Sequence, residues 1–166
     1  DVLQGLYFFE DDFNLETIKE NFDYYEPRTV HESSLSPCVH AVLASKIGAK
    51  EKAYEMYLYT ARLDLDDYNK EVDEGLHITS MAGSWISIVE GFAGVRINEK
   101  GLFLNPILPK EWNEYAFNML YRENPLRICV KPNSIELINK SDNSIKAHLF
   151  GKEILIESKQ TISKSC

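Results

Sequence analysis

The chain has 166 residues, of which 44% are apolar and 27% charged, and its formal net charge is −8. A composition this rich in apolar residues excludes a largely disordered chain, and the length allows one ordinary domain or two small ones. No apolar run reaches the ~20 residues that a membrane-spanning helix needs, so we expect no membrane partner.

The charge distribution indicates which partners to exclude, and the cysteines indicate the cellular compartment. Residues 1–96 hold 18 acidic and 8 basic side chains, a net of −10, whereas residues 97–166 hold 8 acidic and 10 basic ones, a net of +2. Neither part is strongly basic, so we expect no nucleic-acid partner. Cys38, Cys129 and Cys166 are odd in number and widely spaced, which predicts free thiols and a cytoplasmic location.

Four helices are predicted in the first 93 residues. Asn14 caps the first, Ser36 caps the second with Pro37 at its first helical position, and Gly48 ends the second. The third covers about 50–65 and the fourth about 80–93. The predicted apolar faces are Leu15, Ile18 and Phe22; Val39, Val42, Leu43 and Ile47; Tyr54, Tyr57, Leu58, Ala61 and Leu65; and nearly every side of the fourth helix.

The fourth helix is too apolar for a surface position, so we expect neighbours on all sides, supplied by upstream sequence or by a second chain. Its one charge, Glu90, should be paired or lie near an edge. Beyond it, apolar residues alternate at every second position, as in Leu126, Ile128 and Val130. Short strands separated by turn residues predict a two-layered antiparallel sheet over the remainder of the chain.

Two polar segments, 25–37 and 74–84, each run into the start of a predicted helix. The first turn of a helix leaves backbone N–H groups unpaired at the positive end of the helix dipole, which favours an anion. Histidine and serine side chains add donors there, and small residues let an anion approach the backbone. Both segments are therefore candidates for an anion site.

Structural roles compete with this interpretation. The serines and Thr79 are also typical helix caps, and His31 and His77 are equally consistent with hydrogen-bonded histidines of a loop or core. His31 and His40 are nine residues apart with no third ligand at a recognisable spacing, so no metal site is predicted. Cys38 is expected to be a small apolar filler.

Six strings stand out along the chain: DVLQ at 1–4, YYEPRTVHESSLSP at 24–37, ARLDL at 61–65, EGLHITSMAGSW at 74–85, EGFAG at 90–94 and LNPILP at 104–109. In this order they resemble the family 65 glycoside hydrolases. The resemblance is dense over 1–110 and rests on pattern alone over 110–160. The family consists largely of inverting disaccharide phosphorylases that act on maltose, trehalose, kojibiose and nigerose.

The resemblance implies an α+β fold that belongs to a longer protein. Residues 1–96 would be the last helices of an (α/α)6 catalytic barrel, and residues 97–166 a small C-terminal antiparallel β-sandwich domain. The expected partners are the upstream remainder of the same polypeptide, a disaccharide and inorganic phosphate, with a homodimer as one candidate assembly. No cofactor is expected, because phosphate is a co-substrate.

The resemblance also implies a mechanism. A glutamic acid protonates the glycosidic oxygen while phosphate attacks the anomeric carbon from the opposite face, which gives β-glucose 1-phosphate. That glutamate would lie upstream, so no catalytic residue is assigned in this chain. The expected phosphate-side residues are His31, Ser33, Ser34, His77, Thr79, Ser80 and Gly83, with Glu32 and Arg28 in support.

Two other functions stay open from the sequence. One is a hydrolase of the same family, although a hydrolase needs a carboxylate base where these residues suggest a phosphate. The other is a non-catalytic carbohydrate-binding or scaffolding module of helices and a β-sandwich. The sequence does not name the disaccharide.

Overall fold

The computed structural model describes residues 2–68 and 70–165, so the prediction for Cys166 lies outside the described residues. It divides into a helical unit that ends at Phe92 and a β unit that begins at Ala93. Cys38 and Cys129 are free and buried, in agreement with the sequence. Among the described residues, no helix has both the length and the apolar character that a membrane crossing requires.

In the part of the helical unit that the structure describes there are six α-helices. Its first capping prediction is confirmed, because the Asn14 side chain accepts a hydrogen bond from the Thr17 N–H at 2.8 Å. Gly48 has a φ of +81° just beyond the third helix and ends it as expected. The helices are α1 (Val2–Phe8), α2 (Leu15–Tyr25), α3 (Ser36–Lys46), α4 (Lys50–Ala61), α5 (Leu63–Asp66) and α6 (Ile78–Ile86), with 3₁₀ turns at Glu10–Asp12, Glu26–Arg28 and Val72–Glu74.

Helix α3 is the centre of the helical unit and is buried on all sides from Pro37 to Ser45. A single apolar stripe was the wrong expectation, because α1, α4 and α6 all pack against it. The predicted cap was also wrong. Leu35 occupies the N-cap position, and Ser36 lies inside the helix, where its hydroxyl contacts His31.

Helices α4 and α6 differ from the predicted pattern too. The buried face of α4 is formed by Ala53, Met56 and Thr60, whereas Leu65 is 76% exposed, so the predicted tyrosine-lined face was wrong. Helix α6 continues as a π-helical turn over Ser87–Phe92. Glu90 in that turn is paired as predicted, because the Tyr7 hydroxyl donates to its carboxylate at 2.6 Å.

Over residues 93–165 the β unit has two four-stranded sheets, which confirms the predicted class of helices followed by a small, mainly antiparallel β domain. The strand orders are β1-β2-β6-β7 and β3-β4-β5-β8. One pair departs from the prediction, since β2 and β6 run parallel. The strands are β1 (Arg96–Asn98), β2 (Gly101–Leu104), β3 (Tyr115–Tyr121), β4 (Asn124–Lys131), β5 (Ser134–Asn139), β6 (Ile145–Leu149), β7 (Lys152–Ile156) and β8 (Thr161–Ser165).

Candidate anion-binding site

The two polar segments singled out in the sequence meet in the helical unit. The Ser34 and Thr79 hydroxyls lie 2.7 Å apart, although 45 residues separate them along the chain. One position further into α6, the buried Ser80 hydroxyl donates to the Ser34 carbonyl at 3.3 Å. These two contacts hold the loop before α3 against the first turn of α6.

The start of α6 presents groups that suit a negative ligand. His77 is its N-cap and places no side-chain oxygen or nitrogen on the first amides of the helix. The positive end of this nine-residue helix therefore lies beside the Ser34 and Thr79 hydroxyls. Thr79 is exposed and Ser34 is half-buried, so both hydroxyls are within reach of a ligand from solvent.

The His77 ring is held between two carboxylates. Asp64 contacts Nδ1 at 2.5 Å through Oδ1, and its Oδ2 accepts the His77 backbone N–H at 2.9 Å. Glu71 lies 3.3 Å from Nε2. The hydrogen bond to Asp64 raises the pKa of His77 above its usual value, against the opposing effect of desolvation, and Glu71 adds to the rise. His77 therefore favours the cationic form that binds anions.

Ser33 lies next to this cluster in the chain and is exposed. Its hydroxyl accepts the Leu35 N–H at 3.3 Å, and its carbonyl accepts the Ser36 N–H. Ser33 also lines a cleft of about 240 Å³ together with Gln4 and Tyr25. Ser33 thus places the predicted 25–37 segment at the edge of this cleft.

His31 is turned toward the interior instead. Its φ is +57°, and Nδ1 contacts the Ser36 hydroxyl at 2.9 Å. The ring packs edge-on against His40, with centroids 4.5 Å apart. Burial lowers the pKa of His31, more than Glu26 raises it, so the ring favours the neutral form. His31 was expected to donate a hydrogen bond to phosphate, whereas here its ring contacts Ser36 and His40.

Glu26, His31 and His40 form a cluster that the sequence spacing did not reveal. One ligand atom from each lies within 4.8 Å of the other two, which is close enough for a metal-ligand set. However, the Lys52 ammonium is 3.2 Å from the Glu26 carboxylate and would repel a cation. Burial, with the neighbouring His31, lowers the pKa of His40 to about 3, so this ring stays neutral.

Three other predicted residues have different surroundings. A Cβ on the buried Gly83 would lie 2.9 Å from Cys38 Cβ and 3.0 Å from Thr60, so this glycine serves close helix packing. Arg28 is exposed, and its guanidinium lies over the Tyr24 ring at 4.1 Å and donates to the Tyr24 carbonyl. Glu32 is exposed on the loop beside Ser33.

The sequence reasoning missed Asp64 and Glu71, because neither lies in the two polar segments. Asp64 is 13 residues before His77, a separation that matches no short motif. One signal was present, since Asp64 belongs to the string at 61–65 that resembles the family 65 enzymes.

Comparison with known proteins assigns both units. Residues 1–86 match the central catalytic domain of glycosyl hydrolase family 65, and residues 95–156 match the C-terminal domain of that family. The chain belongs to glycosyl hydrolase family 65. The resemblance that its sequence strings indicated is thereby confirmed.

Two relatives of this chain are a maltose phosphorylase and an α,α-trehalose phosphorylase. It is 57% identical to a maltose phosphorylase of Bacillus subtilis over 130 residues, which are 78% of this chain and 17% of the relative. It is 41% identical to an α,α-trehalose phosphorylase of Thermoanaerobacter brockii over 95% of this chain and 20% of the relative.

A solved structure described as a kojibiose phosphorylase from the human microbiome matches with a TM-score of 0.93 and 36% identity. The match covers all of this chain and 24% of that structure. The chain thus spans about a sixth to a quarter of the length of the proteins it matches.

Proposed function

We propose that this chain works as part of a longer inverting phosphorylase, which cleaves an α-linked glucose disaccharide with inorganic phosphate. Its products are β-glucose 1-phosphate and glucose. Family membership and the phosphorylases among the relatives support the reaction class. The 57% identity to a maltose phosphorylase makes maltose the first substrate to test.

The contribution of this chain is the phosphate side of the active site. The meeting of Ser34 with Thr79 at the start of α6 is the observation that carries this assignment. Hydroxyls, a helix N-terminus and a histidine that favours its cationic form are the donors that bind a phosphate. The proposed phosphate ligands are Ser33, Ser34, His77 and Thr79, with Ser80 fixing the Ser34 loop on α6.

In the proposed reaction, one phosphate oxygen forms a bond to the anomeric carbon as the glycosidic C–O bond breaks. The glycosidic oxygen takes a proton from a glutamic acid supplied by the upstream sequence. Attack from the face opposite the leaving sugar inverts the anomeric centre. Phosphate is already an anionic nucleophile, so the site needs cationic and neutral donors rather than a carboxylate base. His31, whose ring lies in the buried cluster, and Gly83, which packs on α3, are not among the proposed ligands.

Replacing Ser34 tests the phosphate assignment in the full-length polypeptide. Ser34→Ala removes a hydroxyl donor to a charged ligand, so the KM for phosphate should rise about tenfold or more. The KM for the disaccharide should change far less. The measurement is initial-rate kinetics with phosphate varied at saturating disaccharide.

Ser84→Ala is the matched control. Ser84 lies one turn further along α6, and its hydroxyl donates to the Ser80 carbonyl at 2.8 Å. Its phosphate KM should stay within about twofold of the original value, as for a substitution away from the ligand. Equal phosphate KM values in the two variants would contradict the assignment.

A further inference from the structure

We propose that Asp64 is a positioning residue for the phosphate site, which holds the His77 ring in place and keeps it cationic. This inference rests on the proposed function. Asp64 lies on the four-residue helix α5, and its side chain reaches His77 at the N-cap of α6. It therefore acts on the ligand through His77 and makes no contact with phosphate itself.

The geometry shows how one carboxylate fixes both the ring and the backbone of one residue. Oδ1 is 2.5 Å from Nδ1, and Oδ2 accepts the backbone N–H of the same histidine at 2.9 Å. With both oxygens engaged, the ring cannot rotate without breaking its hydrogen bond to Asp64. The Nδ1 proton is committed to Asp64, so a ligand would bind at Nε2, where it would take the place of the Glu71 carboxylate that lies 3.3 Å away.

The contact with Asp64 favours the protonated, cationic form of the His77 ring. The hydrogen bond raises the pKa of His77 and lowers the pKa of Asp64, so the imidazolium–carboxylate pair is the preferred state. The two side chains are 24% and 15% exposed, which leaves the pair only partly screened by water. In this state Nε2 carries a proton and donates a charge-assisted hydrogen bond.

The charged groups placed against the ring are Asp64, from α5, and Glu71, from the segment that follows α5. Thr79 of α6 adds a neutral hydroxyl to the site. The Glu71 carboxylate, 42% exposed, lies 3.3 Å from Nε2. Nε2 thus already has an anionic partner, and a phosphate oxygen would make the same contact in place of this carboxylate.

The test measures the affinity of the full-length polypeptide for inorganic phosphate across a pH series. A cationic His77 binds phosphate, so affinity should fall as the pH rises through its raised pKa. Asp64→Asn keeps the shape but removes the charge, and the fall should move about 1 pH unit lower. The ionisation of phosphate is common to all variants, so a difference between them reports the protein.

Asp66→Asn is the matched control on the same helix. The Asp66 carboxylate binds Arg62 at 2.7 and 2.6 Å and Tyr68 at 2.8 Å. Its replacement by asparagine should therefore leave the pH profile of phosphate affinity unchanged. Asp64→Glu, which keeps the charge at a longer reach, is the second variant. Its profile should stay near the original one, and a shift as large as that of Asp64→Asn would overturn the role of the charge.

Failure of this inference differs from failure of the proposed function. If Ser34→Ala weakens phosphate binding but Asp64→Asn leaves the pH profile in place, only the role of Asp64 is overturned. Ring titration of His77 by NMR supplies the second readout. Asp64→Asn could lower the pKa of the His77 ring while neither Asp64→Asn nor Ser34→Ala changes the phosphate affinity. That result would overturn the phosphate site, and with it the role of Asp64 in that site.

Discussion

At the scale of single residues, Gly83 marks a close approach between helices of the helical unit. A Cβ there would lie 2.9 Å from Cys38 Cβ and 3.0 Å from Thr60 Cγ2, both on short side chains of neighbouring helices. Gly83→Ala should therefore lower the free energy of unfolding by about 1–3 kcal/mol. The measurement is urea unfolding followed by tryptophan fluorescence.

Gly5 provides the comparison, because a Cβ at that position in α1 meets nothing within 4 Å. Gly5→Ala should be neutral or should raise the free energy of unfolding by up to about 1 kcal/mol, since alanine is the better helix former. If the two glycine variants had the same stability, Gly83 would not have the packing role described.

The two candidate histidines show what single-residue patterns can and cannot predict. Both His31 and His77 lie in polar segments that lead into a helix, so the sequence predicts one role for both. The +57° φ of His31 turns its ring toward His40, whereas Asp64 holds His77 at the start of α6. These partners are 9 and 13 residues away, and only tertiary packing reveals such neighbours.

At the scale of elements, the end of β5 depends on one buried amide. The Asn139 side chain is 1% exposed and donates to the carbonyls of Asn143 and Ile156 at 2.7 and 3.1 Å, while its oxygen accepts the Ser141 N–H at 2.9 Å. Asn139→Ala would leave these buried groups unpaired, which should cost about 2–4 kcal/mol.

Asn143→Ala is the control for that loss. The Asn143 side chain is exposed and contacts the Asn124 side chain at 3.0 Å, so its removal should cost less than about 0.5 kcal/mol. Thermal unfolding followed by circular dichroism compares the two variants. Similar midpoints for both would show that the amide network does not stabilise the β unit.

Element types were predictable where one side of an element faces solvent. The alternation in β3 matches its burial, and in β4 Leu126, Ile128 and Val130 are buried as expected, although Cys129 on the other face is buried too. Helix α3 is covered on every side, so its periodicity carries no information about a face. Strand β8 gives only a weak sequence signal, because TISKS is mostly exposed and has a single large apolar residue.

At the scale of the whole molecule, family membership connects the helical and β units to one class of enzyme. Matches to the catalytic and C-terminal domains of family 65 cover most of the chain. The sequence predicted this family membership from strings in the family's order, because such local patterns can be recognised without the tertiary structure. It did not predict the Ser34–Thr79 contact, because two segments 45 residues apart meet only after the helices pack.

The central claim is that phosphate, not water, attacks the sugar in the protein that contains this chain. The direct measurement is an NMR assay of the full-length polypeptide with maltose, trehalose, kojibiose and nigerose, each with and without phosphate. Phosphate-dependent release of β-glucose 1-phosphate from one of these sugars is the predicted result. Release of glucose at a rate that does not depend on phosphate would contradict the claim and remove the role proposed for Ser34 and His77.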